Sequence, residues 1–317
     1  MKWLLSYRPG DALEELHHCV ATVGVFDGVH VGHRAILDRT LNWARTEGRA
    51  AVVITFGVHP DKVVHGRSPT LLHSLAHRQR ELARCGIDAT LVLSFDEKLR
   101  QMPAEEFVAR ILVKSLQIRG LVLGHDTAVG KDRRGDARLL TALGRQQGFE
   151  VQSVGELALD GEVVSSSRIR EAYRNGRLDQ VTRLLGRAPS ILGTVEEGKR
   201  RGRTLGFPTA NLACPDEGRP SEGVYAVLVL RKGQRHEGIC NIGHRPTFED
   251  SSHSTVEVHL LDFDGDLYGE ELEVLFLARL RSEQRFDGPE QLIAAIRRDR
   301  EAAEEVFRRT RGHLPNS

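Results

Sequence analysis

The chain changes its hydrophobic rhythm once, and that change decides what it can fold into. From Cys19 to about Val154, short apolar runs ("CVATVGVF", "AAVVITF", "ATLVLSF", "GLVLG", "FEVQSV") alternate with segments of helical period. In "HRAILDRTLNWARTEG", Ile36, Leu37, Leu41 and Ala44 fall on one face, and "PAEEFVARILVKSLQI" reads the same way. Strands that are apolar throughout need cover on both faces, so this half predicts a doubly wound α/β domain around a parallel sheet. Such sheets bind ligands at the C-terminal ends of their strands, and the first such end is "GVFDG". "SSSRIREAYRNGRLDQVTRLLG" predicts helices capped by serine and stopped near Gly176 and Gly186. After Leu192 the pattern turns to strand-like runs: "GVYAVLVLRKG", "RHEGICNIG", "STVEVHLLDF" and "EELEVLFLARL", separated by glycine, proline and polar turns. They predict antiparallel β-structure in a small barrel. "GPEQLIAAIRRDREAAEEVFRRT" predicts a closing amphipathic helix with Leu292, Ile293, Ile296 and Val306 inward. The change places a boundary near Gly186 to Ser190 and gives domains 1–186 and 187–317, a length that fits two cores.

Charge narrows the partners. The 45 basic residues nearly balance 44 acidic ones, so the chain is not built to coat a polyanion and no nucleic-acid partner is expected. Basic residues cluster at Lys131 to Arg134 and Lys199 to Arg203, a size that fits a phosphate-bearing small ligand or a solvated loop. The four cysteines contain no C-x-x-C pair, so neither a zinc site nor a disulfide framework is signalled, and a reducing cytoplasm is expected. "MKWLLSYRPGDALEEL" meets charge too soon for a secretory signal, and no run approaches a membrane span. The sequence is compatible with an oligomer and does not set its order.

Two stretches of the first half carry chemistry. In "GVFDGVHVGH", His30 and His33 stand three residues apart at the mouth of the first helix, which puts both rings on one face. A helix N-terminus already favours anions, and two imidazoles add directional donors. Gly24, Gly28 and Gly32 allow close backbone approach. The arrangement suits a nucleotide triphosphate attacked at its α-phosphate; alone, H-x-G-H is also an ordinary helix cap. "SSSRIR", with Ser165, Ser166 and Arg168, offers hydroxyls and a guanidinium to the β- and γ-phosphates and the departing pyrophosphate. In the second half, "GTVEEGKRRGRTLGFPTANL" interleaves glycines with Lys199 to Arg203, so that Gly198, Lys199 and Arg203 can fold over a polyphosphate.

Taken in order, "GVFDGVHVGH", "TFGVHP", "SSSRIR", "GKRRGRTLGFPTANL", "NIGHRPTF" and "TVEVHLLDFDGDLYG" resemble bacterial bifunctional riboflavin kinase/FAD synthetase over almost the whole chain. The resemblance implies an N-terminal nucleotidyltransferase domain that adenylylates FMN and a C-terminal six-stranded barrel that phosphorylates riboflavin. It implies Thr209 and Asn211 as ligands for Mg2+ and ATP. It implies Glu257 as the base acting on the terminal ribityl hydroxyl. Val256 and Val258 should face away from Glu257 on their strand. In the first half it implies His30 and His33 at the attacked phosphate. Gly24, Phe26 and Asp27 fall beside the nucleotide, His59 towards the flavin, and Asp126 towards the flavin or the nucleotide base. The expected small molecules are riboflavin, FMN and ATP.

The first half departs from the family pattern. Val58 replaces a proline in "TFGVHP", and Leu72, His73 and Arg78 stand where a leucine–threonine pair and a lysine are usual. In "GHDTAVGKDRRGD", Thr127 and Val129 replace two phenylalanines that can give a flavin ring a flat apolar surface. Three readings of the first half follow: FMN adenylylation, use of another nucleotide such as CTP or another acceptor, and non-catalytic nucleotide or flavin sensing.

Overall fold

The computed structural model describes residues 3–7, 13–197, 207–214, 217–244 and 254–311. It divides into two compact units, Met1–Leu71 with Leu75–Ser166, and Leu72–Ser74 with Ser167–Ser317.

The first unit runs β1 (Trp3–Tyr7), β2 (Val20–Val23), α1 (Val31–Thr46), β3 (Ala51–Phe56), α2 (Pro60–His65), α3 (Leu75–Arg84) and β4 (Ala89–Leu93). It continues with α4 (Glu97–Gln101), α5 (Ala104–Phe107), β5 (Gly120–Leu123), α6 (Ala137–Gln147), β6 (Glu150–Ser153) and a small hairpin of β7 (Ala158–Leu159) and β8 (Glu162–Val163). The main sheet has six parallel strands in the order β1-β4-β3-β2-β5-β6. Five of these strands follow from the apolar runs; β1 adds a sixth, paired to β4 from Trp3 opposite Ala89 to Tyr7 opposite Leu93. On α1, Leu37, Leu41 and Ala44 are buried against Val20, Ala51, Val53 and Val122, while Ile36 is only partly buried and reaches a cavity. Each leucine so covered stabilises the fold by about 1.5–3 kcal/mol. The second helical segment differs from the single α-helix its period predicts. Ala104–Phe107 is α-helical, but Val108–Ser115 winds as a π-helix. The wider turn still buries Val108, Ile111 and Leu112 on one side.

The order of the main sheet reverses at β2, which has β3 on one side and β5 on the other. The loops leaving the C-terminal ends of β2 and β5 therefore splay apart and leave a crevice. "GVFDGVH" leaves β2 there and "GHDTAVG" leaves β5.

The second unit holds α7 (Ser166–Arg174, whose first residue is counted with the first unit), α8 (Leu178–Leu185), β9 (Ser190–Glu196), β10 (Ala210–Ala213), β11 (Gly223–Arg231), β12 (Gln234–His244), β13 (Ser254–Leu260), β14 (Glu271–Arg281) and α9 (Pro289–Thr310). The six strands close into an antiparallel barrel in the order β10-β13-β12-β11-β14-β9. Its interior is filled by Val195, Leu212, Tyr225, Cys240, Val258 and Phe276, among others. The four cysteines stand outside disulfides, and burial pushes the Cys19 thiol up to about 12. The inner face of α9 corrects the sequence expectation. Its buried centre is Ala295, Asp299, Ala303 and Phe307, while Leu292, Ile293, Ile296 and Val306 are only partly covered. A charged residue holds that centre because Asp299 accepts two hydrogen bonds from Arg281, at 2.8 and 2.9 Å. No helix among the described residues is long and apolar enough to cross a membrane.

Candidate functional sites

In the first unit the turn after β2 is strained. Phe26, Gly28 and Val29 have φ of 53°, 81° and 41°. A β-branched residue such as Val29 rarely adopts that conformation, which costs on the order of 1–3 kcal/mol and marks a turn held for a purpose. Several contacts hold it. Arg78, buried on α3, donates to the carbonyls of Val25 (2.8 Å) and Phe56 (2.7 Å), tying the ends of β2 and β3 together. Burial pulls the Arg78 pKa down, and the neighbouring Asp27 carboxylate works against that shift. Thr55 donates its hydroxyl to Val25 O at 3.1 Å, and Ser166 donates to Asp27 O at 2.9 Å.

His30 and His33 come together as the spacing predicts. Their rings stack at 3.6 Å with planes 13° apart, and Phe26 lies 5.1 Å from His33. His30 is also the N-cap of α1, its Nδ1 accepting the His33 N–H at 3.2 Å. The cap thus orients the His30 imidazole at the mouth of α1, where a helix leaves its first N–H groups without intrahelical partners. His33 faces the crevice cavity, whereas His30 and Asp27 are buried beneath it. Ser165 and Ser166 lie at the start of α7; Arg168 follows on that helix and is counted with the second unit.

The cavity of this unit measures about 590 Å3. Gly24 and Phe26 form its wall on the β2 side, and Asp126, Thr127 and Lys131 form it on the β5 side. Thr127 turns the loop, its hydroxyl accepting the Gly124 N–H at 3.0 Å. Val129 is buried in the core, paired across a bridge with Gly135. Gly130 sits so close to α5 that a Cβ there would come 2.5 Å from Ala104 N. The aromatic surface that Thr127 and Val129 do not supply comes from elsewhere. Phe26, Phe56, Phe95 and Phe107 all line the cavity, with Phe56 and Phe95 edge to face at 5.4 Å. Phe95 follows β4 in "LVLSFDEK", where a strand-end aromatic carries no spacing signal. His59 instead caps α2, its Nδ1 accepting the Asp61 N–H at 3.2 Å, and does not line the cavity.

In the barrel, Val256 and Val258 point into the core and Glu257 points outward, as alternation requires. Ladder register places Asn211 directly opposite Glu257 on one side and Asn241 opposite it on the other. Residues directly opposite in antiparallel strands share a face, so an Asn–Glu–Asn row crosses the outer wall. Two cavities meet beside that row and share Thr209. One, of about 700 Å3, is lined by Thr209, Asn211, Glu197, Asp264, Asp266 and Tyr268. The other, of about 290 Å3, holds Glu257 and Asn241 among Phe207, Phe286, Leu292 and Ile296. The first mixes polar and apolar groups evenly, the second is the more apolar, an aromatic slot edged by Phe207 and Phe286, and Glu257 belongs to the slot's lining. Gly198, Lys199 and Arg203 lie outside the described residues. Asn241 went unnoticed in the sequence, although an asparagine inside an apolar strand is an unusual choice. Arg281, Phe286 and Asp299 also border the slot and carry no motif.

Comparison with known proteins agrees with both halves. A family model described as FAD synthetase matches residues 12–168, and one described as riboflavin kinase matches residues 185–307. The bifunctional riboflavin kinase/FMN adenylyltransferase of Pseudomonas fluorescens is 42% identical over 90% of this chain and 92% of its own length. The protein of the same name from Escherichia coli K12 is 38% identical over 91% and 93%, and that from Listeria monocytogenes 33% over 92% and 97%. A solved structure titled a macrolide-efflux protein, from Streptococcus pneumoniae, superposes with a TM-score of 0.81 at 31% identity over 91% of this chain and 94% of that one. Matched in both halves and along nearly its whole length, the chain belongs to the bifunctional riboflavin kinase/FMN adenylyltransferase family.

Proposed function

We propose that the chain phosphorylates riboflavin to FMN in its barrel and adenylylates FMN to FAD in its α/β half, with the functional division at 186/187. The observation that carries the kinase reading is the Asn211–Glu257–Asn241 row beside two cavities that share Thr209. Riboflavin fits the aromatic slot, with its ribityl end at Glu257. The carboxylate takes the proton of the terminal hydroxyl as that oxygen bonds to the γ-phosphorus of ATP; the bridging P–O bond breaks and ADP leaves. Thr209 and Asn211 offer neutral oxygen donors, and Asp264 and Asp266 stand on the same cavity wall. That set of hard donors fits Mg2+ shared with phosphates, which would neutralise charge on the transferring group. The Gly198 to Arg203 stretch is assigned to cover the polyphosphate.

In the α/β half no base is required, because the FMN phosphate is already ionised near neutral pH. One of its oxygens attacks the α-phosphorus of ATP and pyrophosphate leaves. His33 faces that phosphate, oriented through its stack on His30, and supplies positive or hydrogen-bonding character as charge builds. Gly24, Phe26 and Asp27 form the nucleotide side, and Ser165, Ser166 and Arg168 are assigned to the leaving pyrophosphate. Asp126 with Phe56 and Phe95 receive the flavin, and His59 shapes that side by capping α2. Phe56 and Phe95 favour FMN as acceptor despite Thr127 and Val129, because they give the cavity aromatic area at other positions.

The test is single-site kinetics on both reactions. Glu257→Gln is expected to abolish FMN formation while supplied FMN is still converted to FAD. His33→Ala is expected to do the reverse. Loss of both activities in either variant would contradict the division of labour.

A further inference from the structure

The segment 261–270 joins β13 to β14 and lacks regular secondary structure, yet Phe263 to Tyr268 form a continuous wall of the 700 Å3 cavity opposite Thr209 and Asn211. A stretch of this kind needs anchoring if it is to present a fixed surface. Its anchor lies on a neighbouring hairpin. Arg231 ends β11 and pairs with Gln234, so that Lys232 and Gly233 make a two-residue turn with φ of 46° and 79°. Positive φ at both central residues is the tight hairpin geometry that fixes register. From that position the Arg231 fork closes on Glu270, Nε to Oε2 at 2.6 Å and Nη2 to Oε1 at 2.8 Å. Lys232 Nζ adds a contact to Glu270 Oε1 at 2.8 Å. The same guanidinium lies over the Phe263 ring, with Cζ 5.1 Å from its centroid, while His236 meets that ring edge to face at 5.3 Å. Phe263 in turn covers Gly265, where a Cβ would come 2.8 Å from the ring. At the far end Gly269 and Glu270 are stitched to Val195 by two backbone hydrogen bonds of 2.9 Å.

One side chain thus holds both ends of the wall. We propose that Arg231 is a positioning residue for the nucleotide of the kinase reaction, setting the 263–270 wall against Thr209 and Asn211 by stacking on Phe263 and clamping Glu270. The proposal rests on the reading of that cavity as the ATP site. Arg231 touches no reacting atom and is not part of the buried barrel core. Its removal is therefore expected to act on nucleotide binding ahead of folding.

The experiment is steady-state kinetics and thermal melting of the full chain carrying Arg231→Ala, Arg231→Lys or Thr209→Ala. In Arg231→Ala the KM for ATP in riboflavin phosphorylation is expected to rise about tenfold, with the KM for riboflavin and the rate of FMN adenylylation each within about twofold of the parent. Arg231→Lys is expected to fall between, because an ammonium keeps the charge on Glu270 but has no planar fork to stack on Phe263. Thr209→Ala checks the cavity itself and is expected to weaken ATP use. An ATP effect in Thr209→Ala with none in Arg231→Ala would overturn the proposal and leave the cavity reading standing. An ATP effect in neither, or in Arg231→Ala alone, would remove the cavity reading and the proposal with it. A fall in melting temperature with both substrate KM values raised alike would make Arg231 merely structural and overturn the proposal.

Discussion

Glu257 is one of 44 acidic residues, and its chemistry follows from what stands beside it. Two asparagines flank it across the ladder, and an aromatic slot opens in front of it. Replacing it by glutamine keeps the shape and removes the carboxylate proposed as the base, so riboflavin phosphorylation should fall by about 10²–10⁴-fold, read as initial FMN formation. Alternation along "TVEVHLL" was enough to show its outward direction, but not its neighbours, since register across strands comes from closure of the barrel. Arg78 makes the same point in the other half. In the sequence it is only a departure from an expected lysine; in the fold its fork joins Val25 O and Phe56 O at the turn after β2. Lysine has no planar fork to span both carbonyls. Arg78→Lys should therefore cost about 1–3 kcal/mol of stability in urea unfolding and lower FMN adenylylation more than riboflavin phosphorylation.

At the scale of elements, the strands and long helices were legible because burial on two faces or one writes a period into the chain. What escaped was set by tertiary partners. β1 shows in the sequence only as a short apolar stretch that meets charge too soon for a secretory signal, and it becomes a strand by pairing with β4. The π-helical stretch 108–115 keeps a helical apolar pattern while changing its winding. The inward face of α9 is centred on Asp299 because Arg281 waits on β14, a partner that periodicity cannot reveal. Asp299→Ala leaves the Arg281 charge without its carboxylate, which should destabilise the second unit by about 3 kcal/mol in a denaturant titration and raise the KM for riboflavin, since both residues border the slot. The 261–270 wall carries a pH signature. Hydrogen bonds from Arg231 first and Lys232 second hold the Glu270 carboxyl at about 2, down from 4.5. A lowered folded-state value means stability that is complete above the unfolded value and is lost as pH falls through the folded one. The melting-temperature gap between the parent and Glu270→Gln should therefore be constant from neutral pH down to about 5 and shrink steadily below it.

Over the whole molecule, the α/β half carries one described cavity and the barrel half two that share Thr209, and the product of the barrel's reaction is the acceptor of the other. Motif order disclosed this arrangement before any coordinates, because segments such as "GVFDGVHVGH" and "PTANL", proposed to handle phosphates, hold chemically specific residue types at fixed spacing. Flavin recognition was less legible. Aromatic area can come from any strand end that reaches the cavity, and here Phe56 and Phe95 supply it while Thr127 turns a loop. The direct test of this account is chromatographic product analysis of the purified chain with riboflavin and Mg2+, with ATP in one tube and CTP in another. FMN followed by FAD in the ATP tube is the predicted result. FMN that accumulates without FAD, or a flavin dinucleotide formed only with CTP, would contradict it.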